Sequence, residues 1–252
     1  MSSMDLSGAI AVVTGGGSGI GRATCELLAS RGARSVAWDL TGGDVVCDVT
    51  DVVSVEAAIA ETVETYGVPT VLVAAAGVGR TGRIVDLALE DWDLTYAVNV
   101  RGTMLALRVV AREMITAGLP GGIVLISSVN GTVADAAHSM YSTSKAAVNH
   151  LARCAAVELG PEGIRVNAIA PGPVETPMMS GVLAIEGYQQ QIADTTPLGR
   201  IGQPDDIAQG ILNVLQSTWM TGQVVALDGG SSLMSARGHD RASGLRKAQG
   251  PA

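Results

Sequence analysis

Short apolar runs alternate with longer stretches of helical period along most of the chain. Ala9–Val13, Ser35–Trp38, Val45–Cys47, Val71–Ala74, Ile123–Ile126, Arg165–Ile169 and Val224–Leu227 read as buried strands. Between them, Ile20–Arg31, Val52–Tyr66, Asp91–Ala117, Tyr141–Leu159 and Asp205–Gln216 carry apolar residues at helical spacing. A continuous apolar strand is one buried on both faces, as in a parallel sheet. The βαβ rhythm therefore predicts an α/β fold: a single-domain, Rossmann-type doubly wound parallel sheet of about seven strands with helices on both faces.

The length agrees with one domain, since 252 residues bury one large core. Hydrophobic residues make up 47% of the chain and Phe is absent, so the core is built from small and branched aliphatics. The domain is expected over residues 1–234. The segment 235–252 is polar, with Arg237, Arg241, Arg246 and Lys247 set against Asp240, and is expected to be a mobile tail. Packing on a neighbouring subunit is the alternative.

A net charge of −8 disfavours binding to a phosphate backbone, so nucleic acid is not an expected partner. The three cysteines, Cys25, Cys47 and Cys154, are scattered and lack metal-ligand spacing, so no metal site is expected. The chain opens on Met1-Ser-Ser-Met-Asp5, which lacks the basic and apolar parts of a signal peptide. No apolar run reaches the length of a membrane span. A cytoplasmic protein without a membrane partner is the expectation.

Chemistry enters first at Thr14-Gly-Gly-Gly-Ser-Gly-Ile-Gly21, between the first strand and the first helix. A strand that turns sharply into a helix needs positive φ or a missing Cβ. A pyrophosphate needs the backbone close by and a helix N-terminus with free N–H groups. Gly15, Gly17, Ser18, Gly19 and Ile20 are the candidate contacts. The second strand ends at Asp39, about where a ribose-binding carboxylate is expected. That carboxylate accepts from ribose hydroxyls and repels a 2′-phosphate, by about 4 kcal/mol at 4 Å before screening. Leu40 and Thr41 supply no compensating cation, so NAD is expected over NADP.

A second cluster lies downstream. Tyr141 and Lys145 stand four residues apart and share a helix face. A nearby ammonium favours the phenolate, so Lys145 is expected to lower the pKa of Tyr141. A phenol tuned in this way exchanges a proton with an alcohol or ketone. Ser128 follows the strand Ile123–Ile126, and strand C-termini line the ligand crevice of open α/β sheets. Its hydroxyl can hold a substrate oxygen against Tyr141. A strand-ending cap is the competing role for this serine.

Taken together these segments resemble the classical short-chain dehydrogenase/reductase family, over essentially Leu6 to Met234. The resemblance also rests on Asp48-Val49, Asn99-Val-Arg-Gly102, Ile126-Ser-Ser128, Pro171-Gly-Pro-Val-Glu-Thr176 and Asp228-Gly-Gly230. It implies a catalytic tetrad of Asn99, Ser128, Tyr141 and Lys145. In that scheme Tyr141 is the general acid/base, and Lys145 tunes it and holds the nicotinamide ribose. Ser128 polarises the carbonyl, and Asn99 holds a relay water. Asp48 and Val49 would flank the adenine, with Ala75, Ala76 and Gly77 lying along the cofactor. Pro171, Gly172, Val174 and Thr176 would surround the nicotinamide. The resemblance further implies a homotetramer packed through the Asp91–Ala117 and Tyr141–Leu159 helices.

Two departures from the family pattern are visible. Ala74-Ala-Ala-Gly77 replaces the usual Asn-Asn-Ala-Gly, which removes side-chain amides that brace strands. The link Gln216–Gly222 is short. Pro177–Pro197 occupies the place of the family's substrate lid, and its apolar first half (Met178, Met179, Val182, Leu183, Ile185) favours a hydrophobic secondary alcohol or ketone. An amphipathic surface helix would produce the same pattern. His138 is expected at the border of this pocket. The alternatives are a 3-oxoacyl thioester reductase, which a basic patch of Arg101, Arg108 and Arg112 would serve, and a non-enzymatic dinucleotide-binding regulator.

Overall fold

The computed structural model describes residues 4–233, so the expected tail at 235–252 lies outside the described residues. The strands are β1 (Ile10–Thr14), β2 (Arg34–Asp39), β3 (Val45–Val46), β4 (Val71–Ala74), β5 (Gly121–Ile126), β6 (Ile164–Pro171) and β7 (Val224–Leu227). They form one sheet, every neighbouring pair parallel, in the order β3-β2-β1-β4-β5-β6-β7. The order reverses between β1 and β4, which is where an open α/β sheet opens a ligand crevice.

Each face of the sheet has its own core. Val12, Leu72, Ile123 and Leu125 point to one side and pack under α2 (Val52–Tyr66), α4 (Thr103–Ala117) and α5 (Ser139–Leu159). Their neighbours Ala11, Val13, Val73 and Val124 point to the other, under α1 (Gly19–Ser30) and α8 (Pro204–Gln216), the latter preceded in the chain by the short α6 (Ser180–Leu183) and α7 (Tyr188–Thr195). This two-residue alternation is the strand pleat, apolar on both faces because both are covered. Trp38 is fully buried, and its indole N–H donates to Thr62 Oγ1 at 2.9 Å, so the ring leaves no unpaired donor in the core.

The strand expectations hold to within a residue or so at most ends, with β5 and β6 reaching slightly further. The helix expected over Asp91–Ala117 is a composite. It runs as α3 (Leu89–Tyr96), a wider π-turn at Ala97–Gly102, and then α4. A π-turn inserts a residue into the helical ladder and often marks a functional position. Here it carries Asn99. The helix α5 also begins at Ser139, before Tyr141 rather than on it.

Beside Ala74–Gly77 the bracing runs through the backbone: the Thr14 carbonyl accepts from Ala75 N at 3.2 Å and its hydroxyl from Ala76 N at 3.1 Å. The short Gln216–Gly222 link is tied down by β6. The Arg165 guanidinium donates to the carbonyls of Leu215 (2.6 Å) and Ser217 (2.9 Å), satisfying the end of α8. Asn167 donates to Met220 O and accepts from Gln223 N, at 2.9 and 3.0 Å.

Candidate active site

The turn from β1 into α1 is a backbone cradle. Gly15 has φ +67°, and a methyl group on it would stand 2.9 Å from the Ala76 backbone. Only glycine suits that position. Ser18 flanks α1 in extended conformation, and its side chain makes no capping bond to the first turn. The N–H groups there are thus left for another acceptor. Asp39, at the end of β2, is fixed beside this cradle. One carboxylate oxygen accepts from Gly17 N at 3.0 Å and the other from Thr41 N at 3.3 Å.

The other expected cofactor residues lie at or just beyond the C-terminal ends of the strands. Val49 is buried and packs against Gly102, where a methyl would lie 2.8 Å from its side chain. Asp48 is shaped by its own turn, its carboxylate accepting from Thr50 N and Thr50 Oγ1 at 2.8 and 2.7 Å. On the far side, Gly172 follows β6 and donates to Leu227 O at 3.0 Å, and Val174 is buried. Thr176 and Pro177 then cross the start of α1, 3.5 Å from where a Gly19 side chain would begin. The segment after β1 therefore lies against those that follow β4 and β6.

The four residues expected to form the tetrad come from three elements. Asn99 is fully buried in the π-turn; its Oδ1 accepts from Val78 N at 2.9 Å, and its Nδ2 donates to Val78 O and to Ser144 Oγ, each at 3.0 Å. Ser144 passes the restraint on, donating to Tyr141 O at 2.7 Å. Lys145 is buried, with Nζ donating to Ile126 O at 2.9 Å and standing 5.7 Å from the centre of the Tyr141 ring. Ser128 caps the short turn Val129–Gly131, its hydroxyl accepting from Asn130 N at 3.1 Å. A methyl on Gly77 would lie 3.3 Å from Asn99 Oδ1 and 3.5 Å from Lys145 Nζ, so glycine keeps bulk out of the space between those two groups.

The electrostatics differ from the expectation in one respect. Burial raises the pKa of Tyr141 above the usual phenol value, and hydrogen bonding with Ser128 opposes that rise only in part. Burial, and not the Lys145 ammonium, sets the direction of this shift, contrary to the expected lowering. Lys145 itself is pushed down to about 8 by burial.

Sequence reasoning missed the supporting residues. Ser144 lies inside the Tyr141–Lys145 segment, yet its link to Asn99 spans 45 positions and leaves no local signal. Thr14, Ser127 and Asn149 are similar: each is inconspicuous in the sequence until the fold gives it a partner. His138 is turned to its own loop, with Nδ1 2.8 Å from Ala136 O and 3.7 Å from Asp135. Among the described residues no cluster of His, Cys, Asp and Glu could hold a metal, and no helix is long and apolar enough to cross a membrane.

Comparison with known proteins bears on this geometry. A family model described as enoyl-(acyl carrier protein) reductase matches residues 15–232. The chain is 35% identical over 246 residues to the 3-oxoacyl-(acyl-carrier-protein) reductase FabG of Thermotoga maritima, covering 90% of this chain and 99% of that one. A short-chain type dehydrogenase/reductase from Mycobacterium marinum superposes with a TM-score of 0.85 at 31% identity, over 90% of this chain and 96% of that one. A gluconate 5-dehydrogenase from Burkholderia cenocepacia, solved in complex with NADP and tartrate, gives 0.86 at 29% identity, over 91% and 97%. The motifs, the sheet order and these likenesses agree: the chain belongs to the short-chain dehydrogenase/reductase family.

Proposed function

We propose that this protein is an NAD-dependent oxidoreductase that interconverts a secondary alcohol and its ketone. The observation that carries the reading is the convergence of buried Asn99 and Lys145 with Ser128 and Tyr141 at the rim of the dinucleotide groove. A nicotinamide dinucleotide held in that groove would supply or take up the hydride. Gly15, Gly17, Ser18, Gly19 and Ile20 would hold its pyrophosphate, and Asp39 its adenosine ribose. Asp48 and Val49 would flank its adenine, Ala75, Ala76 and Gly77 would lie along the cofactor, and Pro171, Gly172, Val174 and Thr176 would surround the nicotinamide. The site suits such a ligand because Gly77 leaves out a side chain that would enter the space beside Asn99 and Lys145.

The chain's own residues then handle the proton. Ser128 donates to the substrate oxygen and orients it. With its pKa raised, Tyr141 is protonated at neutral pH and is set to give its proton to the oxygen of a ketone being reduced. In the oxidation direction Tyr141 must first lose that proton, so oxidation gains from alkaline pH. Lys145 takes part in moving the proton onward, and its pKa of about 8 allows exchange near neutrality. Asn99 is placed to hold the relay water that this exchange requires.

The preference for NAD rests on Asp39, which Gly17 N holds at the edge of the cradle. A 2′-phosphate there would meet a fixed negative charge. Tighter binding of NADPH than of NADH would overturn this assignment. The preference for an apolar substrate rests on the lid segment. Met178 and Ile185 remain 52% and 59% exposed, and the Met178 sulfur stands 3.3 Å from where a Gly79 side chain would begin. The lid thus presents apolar surface at the loop following β4 rather than burying it in the core.

The alternative 3-oxoacyl thioester reductase is favoured by the relative from Thermotoga maritima. Its supporting basic patch is partly spent, however. Arg112 pairs with Glu56 at 2.6 Å, and Arg101 donates to the Thr50 carbonyl. A homotetramer built on α4 and α5 fits the exposure of Ile115 (42%) and Val157 (79%) on those helices, and sedimentation tests it. The function is tested by turnover of aliphatic methyl ketones, alicyclic ketones and a 3-oxoacyl thioester with NADH and with NADPH. The expected result is reduction of an apolar ketone with NADH. Exclusive turnover of the thioester would favour the alternative, and no turnover of any compound would count against an alcohol–ketone enzyme.

A further inference from the structure

The β5 end and α5 are joined by more than the tetrad. Ser127 Oγ donates to Lys145 O at 3.0 Å, and Lys145 Nζ donates to Ile126 O at 2.9 Å. One helical turn beyond Lys145, Asn149 is 4% exposed, and its Nδ2 donates to Gly131 O at 3.3 Å. Gly131 closes the short turn that Ser128 caps, and its N–H donates to Ser128 O at 2.9 Å. The fit is tight. A methyl on Gly131 would stand 2.6 Å from Asn149 Nδ2 and 3.0 Å from the Lys145 carbonyl.

Asn149 also carries an anomaly. Its Oδ1 is buried and has no hydrogen-bond partner. A buried unpaired acceptor destabilises a fold by about 1–3 kcal/mol, and a leucine of nearly the same shape would avoid that cost. Stability therefore gives no reason for an amide here. The bond to Gly131 does, because the Val129–Gly131 turn sets where the Ser128 hydroxyl points.

We propose that Asn149 is a positioning residue, holding the Val129–Gly131 turn against α5 so that Ser128 faces the substrate oxygen and Tyr141. It touches neither substrate nor cofactor and acts only through Ser128. The inference rests on the catalytic role proposed for Ser128, so its test must separate the two.

The experiment is a double-mutant cycle of Asn149→Leu with Ser128→Ala, using the fastest ketone of the panel above. Asn149→Leu removes the donor and the unpaired oxygen together, and half-buried Gly131 can turn its carbonyl to water. The melting temperature and the NADH dissociation constant are therefore expected to stay near wild type. Misplacement of one catalytic group lowers kcat, here by about tenfold. In the Ser128→Ala background the same change is expected to cost less than about twofold, since there is no hydroxyl left to aim. Gly131→Ala, which pushes on the same turn from the other side, should repeat the pattern and serves if Asn149→Leu folds poorly. An unchanged kcat in both single variants overturns the proposal. So does an equal loss with and without Ser128, which would mean action through the fold at large. If Ser128→Ala alone keeps wild-type kcat, the catalytic reading of Ser128 falls and this proposal falls with it.

Discussion

The two ends of the groove are built by opposite means. Around β1 and β2 the site is made of backbone: bare glycines, the uncapped first turn of α1, and a carboxylate held by Gly17 N. Around β5 and α5 it is made of side chains, several of them polar and buried. The first end works by leaving atoms out, and its demands are steric. The second works by burying groups that prefer water, and its demands are electrostatic. Lys145 shows the cost, since burial alone drives its pKa down to about 8. A buried charge of this kind is poor for stability and useful for proton transfer.

Steric and electrostatic demands fail differently when altered, and the largest effect is expected at the glycine end. Gly15→Val places a branched side chain at positive φ and against Ala76, and should weaken NADH binding roughly a hundredfold. Calorimetry or fluorescence titration would measure it. Binding that survives intact would mean that the cradle is a structural turn only. Next in size, Asp39→Ser should shift the NADPH-to-NADH affinity ratio toward NADPH by about tenfold, the screened remnant of a bare repulsion near 4 kcal/mol.

The β5–α5 end should reveal itself in stability as a function of pH. Lys145 has a folded pKa of about 8 and a usual value of 10.5 when exposed. Between those values the unfolded chain binds more protons than the folded one, so stability rises with pH across this window. Below about 8 both states are protonated and this slope vanishes. The raised pKa of Tyr141 acts in the opposite sense, but only above about 10, where an unfolded phenol begins to ionise. Thermal melts from pH 7 to 10 should therefore show a rising component that Lys145→Met removes. An identical slope in that variant would show that the lysine is not desolvated.

The smallest effect is expected where the two ends meet. Thr14→Val removes the acceptor of Ala76 N and should cost about 1–3 kcal/mol in chemical denaturation. Kinetic constants should change little, since the bond braces β1 against the segment after β4 without touching either ligand.

The same division governs how much could be read from the sequence. The glycine end was legible because its requirement falls on consecutive residues: Gly15 to Gly21 sit together, and Asp39 ends a strand that its apolar run announces. The sheet was legible for a related reason, since strands covered on both faces must be apolar throughout. At the β5–α5 end the residue types were legible and their environment was not. Tyr141 and Lys145 share a helix face by spacing alone. Yet the direction of the tyrosine's pKa depends on burial, which arises from packing between distant segments. The π-turn at Ala97–Gly102 was hidden because Val98, Met104 and Leu105 continue an apparently regular helical pattern. Its sign is a one-residue change in hydrogen-bond partner, to which composition is blind. Ser144 and Asn149 were silent for the same reason, as their partners lie 45 and 18 positions away.

The central claim is that the β5–α5 end performs proton chemistry on a ligand that the glycine end binds. Tyr141→Phe tests it most directly, because it removes one hydroxyl and leaves the cradle untouched. NADH affinity and ketone reduction should be measured on the same preparation. The account predicts wild-type NADH binding with turnover reduced by about a hundredfold or more. Wild-type turnover in that variant would contradict it.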